Sequence, residues 1–156
     1  MYDLKKLHNP DFDYNEIIPY RNPYFPSIYK GMTVEMHIVN HCNLNCAGCN
    51  HFSPLASPWF IDIKDFENQI SALVNNISVI KELILLGGEP TLHPNLLELC
   101  SIARKYIPEE RIVVLSNGVK LQEIKENIDA YKKLNIYFSF CSYPSYTDTK
   151  TINSLK

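Results

Sequence analysis

The sequence has no apolar run of the length that crosses a membrane, which takes about 18 residues or more. Its N-terminus, beginning Met1-Tyr2-Asp3, lacks the apolar stretch of a secretory signal peptide. These two absences predict a cytoplasmic protein that makes no contact with a membrane.

The sequence also lacks an excess of charge of either sign. Lysine and arginine number 15 against 17 aspartates and glutamates, which gives a formal net charge of -2. Without a basic field or a cluster of basic residues, no nucleic-acid partner is expected. A chain of 156 residues that is 46% hydrophobic can build one core and therefore one domain.

No internal repeat or low-complexity segment interrupts the chain, but its pattern changes once. Residues 1–31 are rich in tyrosine and proline and have no usable periodicity, which predicts an irregular N-terminal extension. From there on, strand-like and helix-like segments alternate, as is typical of parallel βαβ units. We expect residues 32–156 to form the core domain.

The alternation predicts four strands, at residues 33–39, 80–86, 111–115 and 136–140. Asp62 is the predicted N-cap of the first helix, with Ile61 and Phe66 as a hydrophobic staple. Pro94 is placed in the first turn of a second helix that runs to about residue 106. A third helix is predicted from an apolar face, and residues 146–156 are expected to begin a fourth. That apolar face consists of Leu121, Ile124, Ile128 and Tyr131.

Polar or glycine-rich residues follow each predicted strand. The carboxyl ends of parallel strands meet at one edge, where α/β folds bind ligands. We therefore expect a site assembled from four loops. They are the cysteine loop after the first strand, Gly87-Gly88-Glu89-Pro90, Ser116-Asn117-Gly118 and Cys141-Ser142-Tyr143.

The cysteine loop holds the most informative residues. Cys42, Cys46 and Cys49 follow the first strand at spacings that fold three thiolates around one point. A cluster of four irons held by three protein thiolates keeps one iron open, as catalytic metal sites keep an open position. In a reducing compartment, an odd count of five cysteines favours metal or redox chemistry over disulfides.

Over residues 33–145 the chain resembles the radical S-adenosylmethionine (radical SAM) superfamily. The resemblance rests on the order of two motifs: the three cysteines, separated by three and then two residues, and Gly-Gly-Glu-Pro after the next strand. It implies a partial (βα) TIM-like barrel with about four parallel strands present. It also implies that Cys42, Cys46 and Cys49 hold a [4Fe-4S] cluster whose fourth iron chelates SAM.

The resemblance assigns further roles to residues of this chain. The backbone at Gly87 and Gly88 would meet the SAM amino group, and Glu89 would fix that turn or accept a hydrogen bond. Asn117 and a polar residue on the fourth strand, Ser139 or its neighbour Ser142, would lie near the methionine or ribose. One electron from the cluster, supplied by a donor such as flavodoxin or ferredoxin, would cleave SAM to methionine and a 5′-deoxyadenosyl radical. That radical would take hydrogen from an unknown substrate.

Two features depart from the family pattern. Gly48 stands where the family commonly has an aromatic residue against the adenine, so Phe52 or Trp59 is expected to pack there instead. The family barrel usually has six strand-helix units, whereas this chain completes about three and a half at roughly 30 residues per unit. An unfinished barrel exposes an edge on its last strand, which predicts self-association.

Other functions remain open at this point. The cysteines with His41 or His51 also fit a structural zinc site of the Cys3His type. A truncated module that binds a cluster or zinc without catalytic turnover is the alternative to an enzyme.

Four further groups of side chains are candidates for lesser roles. Glu35 and His37 alternate with apolar residues and are expected to face the barrel mouth or to serve as ordinary rim groups. Cys100 is predicted to be a small buried hydrophobe. Cys141 lies at the end of a strand, near the expected site, and Tyr143 and Tyr146 are candidates for facing substrate.

Overall fold

The computed structural model describes residues 32–77 and 80–141, which form one α/β unit. Its strands are β1 (Met32–Val39), β2 (Ile80–Gly87), β3 (Arg111–Ser116) and β4 (Ile136–Phe140). Its helices are α1 (Ile63–Asn76), α2 (Leu96–Tyr106), α3 (Leu121–Glu126) and α4 (Ile128–Lys133). Short 3-10 turns lie at Ser53–Leu55 and Pro90–Leu92. No helix within these two ranges is both long enough and apolar enough to cross a bilayer.

Several predictions fall outside the described residues. They concern the N-terminal extension at 1–31, Ser142, Tyr143, Tyr146 and the helix at 146–156.

The four strands form one parallel sheet in the order β1-β2-β3-β4, so each strand pairs with the next one along the chain. Right-handed connections between successive parallel strands place every intervening helix on the same face. The result is the predicted partial (βα) barrel, and all four predicted strands are confirmed to within one residue at each end.

The core lies between the sheet and the helices. Alternate strand residues are buried there, including Ile38, Leu83 and Val114, against Phe66 and Ile70 of α1. The α1 start was read correctly: Asp62 accepts a hydrogen bond from the Lys64 backbone N–H at 2.8 Å. Satisfying that otherwise unpaired amide fixes where the helix begins.

Two helix predictions were wrong in detail. The single third helix is broken at Asn127, whose side-chain amide donates to the Glu123 carbonyl oxygen at 3.0 Å. A side chain that competes for backbone groups favours such a break. Pro94 does not lie in the first turn of α2, because the helix begins at Leu96 with Asn95 as its N-cap.

Arg104, on α2, ties the last part of the sheet to the helix layer. Its guanidinium donates hydrogen bonds to five backbone carbonyl oxygens. One side chain thereby satisfies carbonyl groups at the end of α2 and in the turn before β4. The acceptors are Ile107, Pro108, Glu110, Leu134 and Asn135, at 2.8–3.1 Å.

Replacing Arg104 by methionine is expected to lower the free energy of unfolding by about 2–3 kcal/mol, because the carbonyl groups lose a charged donor while the aliphatic packing is kept. Urea denaturation measures the change. Lys105→Met is the matched control: its ammonium pairs with Glu67 at the exposed surface, and such pairs contribute little. Equal losses in the two variants would contradict this role for Arg104.

His93 joins the segment before α1 to the start of α2. Its Nε2 lies 3.0 Å from the Ile61 carbonyl oxygen, and the Asn95 backbone N–H donates to its Nδ1 at 3.1 Å. A neutral imidazole with its hydrogen on Nε2 satisfies both contacts. Burial lowers the pKa of His93, which favours that neutral form.

Because the folded pKa of His93 lies below its unfolded value of about 6.5, its contribution to stability is complete above that pH and is lost as the pH falls below it. We expect the free energy of unfolding to fall between about pH 7.5 and pH 5.5, and to fall less in His93→Gln. Urea denaturation at the two pH values tests this. If the free energy of unfolding of His93→Gln fell as much as that of the wild type, the loss of stability would come from other titratable groups.

Candidate functional site

A pocket of about 230 Å³ opens at the carboxyl edge of the sheet. Three of the four predicted loops line it, and the fourth contributes Cys141. The residues predicted for the site that line this pocket are Cys42, Cys46, Cys49, Gly87, Gly88 and Asn117. Sequence reasoning therefore brought together side chains separated by up to 75 positions along the chain.

The three cysteine sulfurs surround this space as free thiols. Within residues 32–77 and 80–141, no three histidine, cysteine, aspartate or glutamate side chains converge closely enough to hold a single ion. Zinc needs ligand atoms within about 2.0–2.3 Å of one point.

The Cys42 sulfur already has hydrogen-bond donors facing it. The Leu44 backbone N–H lies 3.4 Å from it, and the Asn117 side-chain nitrogen lies 3.5 Å from it. Burial nevertheless raises the pKa of Cys42, because desolvation of the thiolate outweighs these hydrogen bonds. A bound cation would supply the charge that stabilises the thiolate here.

The Cys49 sulfur lies in a turn of backbone amides. Burial acts to raise the pKa of Cys49, but hydrogen bonding by Ser53, His51 and Phe52 lowers it overall. Ser53 is buried, and its side-chain hydroxyl is one of the groups that face this thiol. Donors around a sulfur favour its anionic form, which is the form that ligates metal.

Gly87 and Gly88 are needed for contact with the cysteine loop. A Cβ on Gly87 would lie 2.0 Å from the Val39 carbonyl oxygen, and one on Gly88 would lie 2.0 Å from the His41 carbonyl oxygen. Gly87 also has a φ of +143°, which side chains rarely permit. The two glycines thus let the end of β2 lie against the end of β1 and against the cysteine loop; the close approach of a ligand to them stays a prediction.

Glu89 is fully buried, and the residues that line the pocket do not include it. Its carboxylate accepts hydrogen bonds from the backbone and hydroxyl of Thr91, at 3.0 and 2.6 Å. It also accepts from the Ser116 hydroxyl at 2.8 Å and the Asn117 backbone N–H at 2.7 Å. Of the two roles predicted for Glu89, these contacts describe the fixing of the turn.

The sequence did not reveal that Thr91 and Ser116 are the hydrogen-bond partners of Glu89, although Ser116 belongs to one of the predicted site loops. Both residues are buried, and the hydroxyl group of each donates a hydrogen bond to the Glu89 carboxylate. The signal available in the sequence was a hydroxyl residue two positions after the acidic one, and another at the end of the next apolar strand. Neither pattern identifies its partner without the sheet register.

Several predicted site residues lie elsewhere. Pro90 is buried at the start of a 3-10 turn, and Ser139 is exposed on β4. Among the described residues that line the pocket, neither Phe52 nor Trp59 occurs, although both are exposed. The proposed adenine contact of these two aromatic residues stays a prediction.

Glu35 and His37 are exposed on the sheet face opposite the buried Met36 and Ile38. The His37 ring packs edge-on against His51, with centroids 4.9 Å apart, and His51 lines the pocket. Burial, and next the His51 ring, lower the pKa of His37, so its imidazole is neutral at pH 7. A neutral histidine beside the pocket can accept or donate a hydrogen bond.

The two remaining cysteines differ in their surroundings. Cys100 is fully buried, and burial raises the pKa of its thiol to about 12, which fits the predicted role as a small hydrophobe. Cys141 is exposed and lies at the rim of the pocket, where its backbone N–H donates to the Ser116 carbonyl oxygen at 2.9 Å.

Comparisons with known proteins agree with this geometry. The family model of the Radical SAM superfamily matches residues 36–147. A 7,8-dihydro-6-hydroxymethylpterin dimethyltransferase of Methanocaldococcus jannaschii is 32% identical over 112 residues, covering 68% of this chain and 21% of that protein. A GTP 3',8-cyclase of Chlorobaculum tepidum is 27% identical over 88 residues, covering 56% of this chain and 26% of that protein. The chain thus spans less than a third of the length of these curated relatives.

A solved structure shows the same fold. The crystal structure of BtrN in complex with AdoMet and 2-DOIA superimposes with a TM-score of 0.53 at 22% identity, covering 69% of this chain and 44% of that chain.

The glycine contact leads to a paired test. Gly88→Ala is expected to displace the cysteine loop, because its Cβ would overlap the His41 carbonyl oxygen. Gly48→Ala is the matched control, since nothing lies within 4 Å of the Cβ it would add. Iron and sulfide content after reconstitution, with the melting temperature, measures both. Equal cluster content in the two variants would show that the close approach is dispensable.

Proposed function

The chain belongs to the Radical SAM superfamily, and from this premise we propose that it holds a [4Fe-4S] cluster on Cys42, Cys46 and Cys49 and binds SAM at the open iron. Members of this superfamily that it resembles are enzymes, among them a cyclase and a methyltransferase. The cluster and SAM, when bound, would supply reductive cleavage of SAM and abstraction of hydrogen from a substrate. The observation that carries the proposal is one pocket lined by all three cysteines and both glycines.

Family membership supports a cluster more than a zinc ion, since the Radical SAM family model matches residues 36–147. The histidines do not separate the two metals. His51 lines the pocket together with the three cysteines, and the His41 ring packs on Phe60 with centroids 4.6 Å apart. Zinc content therefore has to be measured beside iron content.

Within the site, this chain's own residues would bind and orient SAM. The backbone of Gly87 and Gly88 lies on the pocket wall, where it suits the SAM amino group. Leu44 and Leu115 add apolar surface to the same wall. Glu89 would hold the turn after β2 in place through its buried hydrogen bonds. Ser139, on β4, is a further proposed contact with SAM.

The partners follow from this chemistry. We propose an electron donor such as flavodoxin or ferredoxin, a substrate whose identity is open, and a reducing cytoplasmic location that keeps the five free thiols unpaired. Self-association through the edge of β4 stays a prediction.

Anaerobic reconstitution with iron and sulfide, followed by electron paramagnetic resonance of the reduced protein, tests the proposal. A [4Fe-4S]⁺ signal that changes on adding SAM is the expected result, because SAM would bind the iron that lacks a protein ligand. Substitution of Cys42, Cys46 or Cys49 by alanine should abolish the signal. Cys100→Ala is the matched control, since that buried thiol lies outside the pocket.

The other outcomes separate the alternatives. Stoichiometric zinc with no cluster would replace the proposal by a structural metal site. A cluster whose signal ignores SAM, with no methionine or 5′-deoxyadenosine formed, would support a module that binds a cluster without turnover.

A further inference from the structure

We infer that Asn117 is a positioning residue for the cluster: its side-chain amide donates a hydrogen bond to the Cys42 sulfur and raises the reduction potential of the cluster. The inference rests on the proposed function, because it concerns the group held by Cys42. It also assigns Asn117 a role different from the expected contact with the methionine or ribose of SAM.

The geometry fixes which side of the amide faces the sulfur. The Asn117 side-chain nitrogen lies 3.5 Å from the Cys42 sulfur and 2.7 Å from the Asn43 side-chain oxygen. The Asn117 side-chain oxygen accepts from the Val119 backbone N–H at 3.0 Å. A flipped amide would place its NH2 against the Val119 N–H and its oxygen against the Asn43 oxygen, so the observed orientation is the one that suits these two contacts.

The backbone of Asn117 is held as firmly as its side chain. Its N–H donates to the buried Glu89 carboxylate at 2.7 Å, and the residue is only 7% exposed. The side-chain donor therefore cannot turn away from Cys42 without breaking its contacts with Asn43 in the cysteine loop and with Val119 after β3. Such an oriented, buried partner is what holds a metal ligand in place.

A donor beside a cluster ligand has an electronic effect. The reduced cluster carries one more negative charge than the oxidised cluster, and its ligand sulfurs share that charge. A hydrogen bond to the sulfur stabilises the reduced form more, which makes reduction easier. Removing the donor should therefore shift the potential to more negative values even when SAM is absent.

The decisive experiment is a potentiometric titration of the reconstituted full chain without SAM, followed by electron paramagnetic resonance. Asn117→Ala removes the donor. Asn117→Asp keeps the shape and the oxygen that caps Val119. We expect both variants to have more negative potentials than the wild type. Asn127→Ala is the matched control, because it removes an exposed asparagine amide whose hydrogen bond lies at the α3–α4 break, away from the cysteine loop.

Each result decides between the two roles. Unchanged reduction potentials in both Asn117 variants would overturn the inference. If the potentials were unchanged and the affinity for SAM were lost, Asn117 would instead be a residue that contacts SAM. If the wild-type protein took up no cluster, the proposed function itself would be wrong, whatever the variants showed.

A second measurement covers variants that fold but hold no cluster. In the cluster-free wild type, the side-chain amide resonances of Asn117 in a ¹H–¹⁵N spectrum should move in Cys42→Ala and stay in place in Cys46→Ala. If the Asn117 side-chain resonances kept their chemical shifts in Cys42→Ala, the inference would be overturned.

Discussion

The carboxylate of Glu89 is the interaction on which the rest of the site depends. It is buried beneath the carboxyl edge and accepts four hydrogen bonds, from Thr91, Ser116 and Asn117. A carboxylate away from water is tolerated only when such donors surround it. The β2 loop and the end of β3 are therefore held in one arrangement, and through the Asn117 side chain that arrangement reaches the cysteine loop.

Much of the fold was readable in advance because it is locally encoded. Apolar strands bounded by polar turns can be recognised within a few residues, and so can Asp62 flanked by the staple pair Ile61 and Phe66. The shared edge of parallel strands then places the cysteines and Gly87-Gly88 in one pocket. The order of the motifs was sufficient for the family.

The remaining features depend on contacts between distant positions, which no local pattern specifies. Arg104 looks like one more surface cation until the turn before β4 brings carbonyl groups to it, with Leu134 at 2.8 Å. The break at Asn127 interrupts a helical apolar face that continues on both sides, so periodicity alone joins the two helices. Asn117 lies in an ordinary turn sequence, and its partner Cys42 is 75 positions away.

Because Gly87 and Gly88 carry no side chains, the end of β2 packs directly on the end of β1 and on the cysteine loop. The backbones touch through a hydrogen bond of 2.9 Å from the Gly88 N–H to the Val39 carbonyl oxygen, at the end of β1, and one of 3.0 Å from the Glu89 N–H to the His41 carbonyl oxygen, in the loop. A cysteine loop grafted alone onto another βα scaffold would lack the surface that shapes it. Any transplantation or redesign of this loop has to carry the end of the neighbouring strand with it.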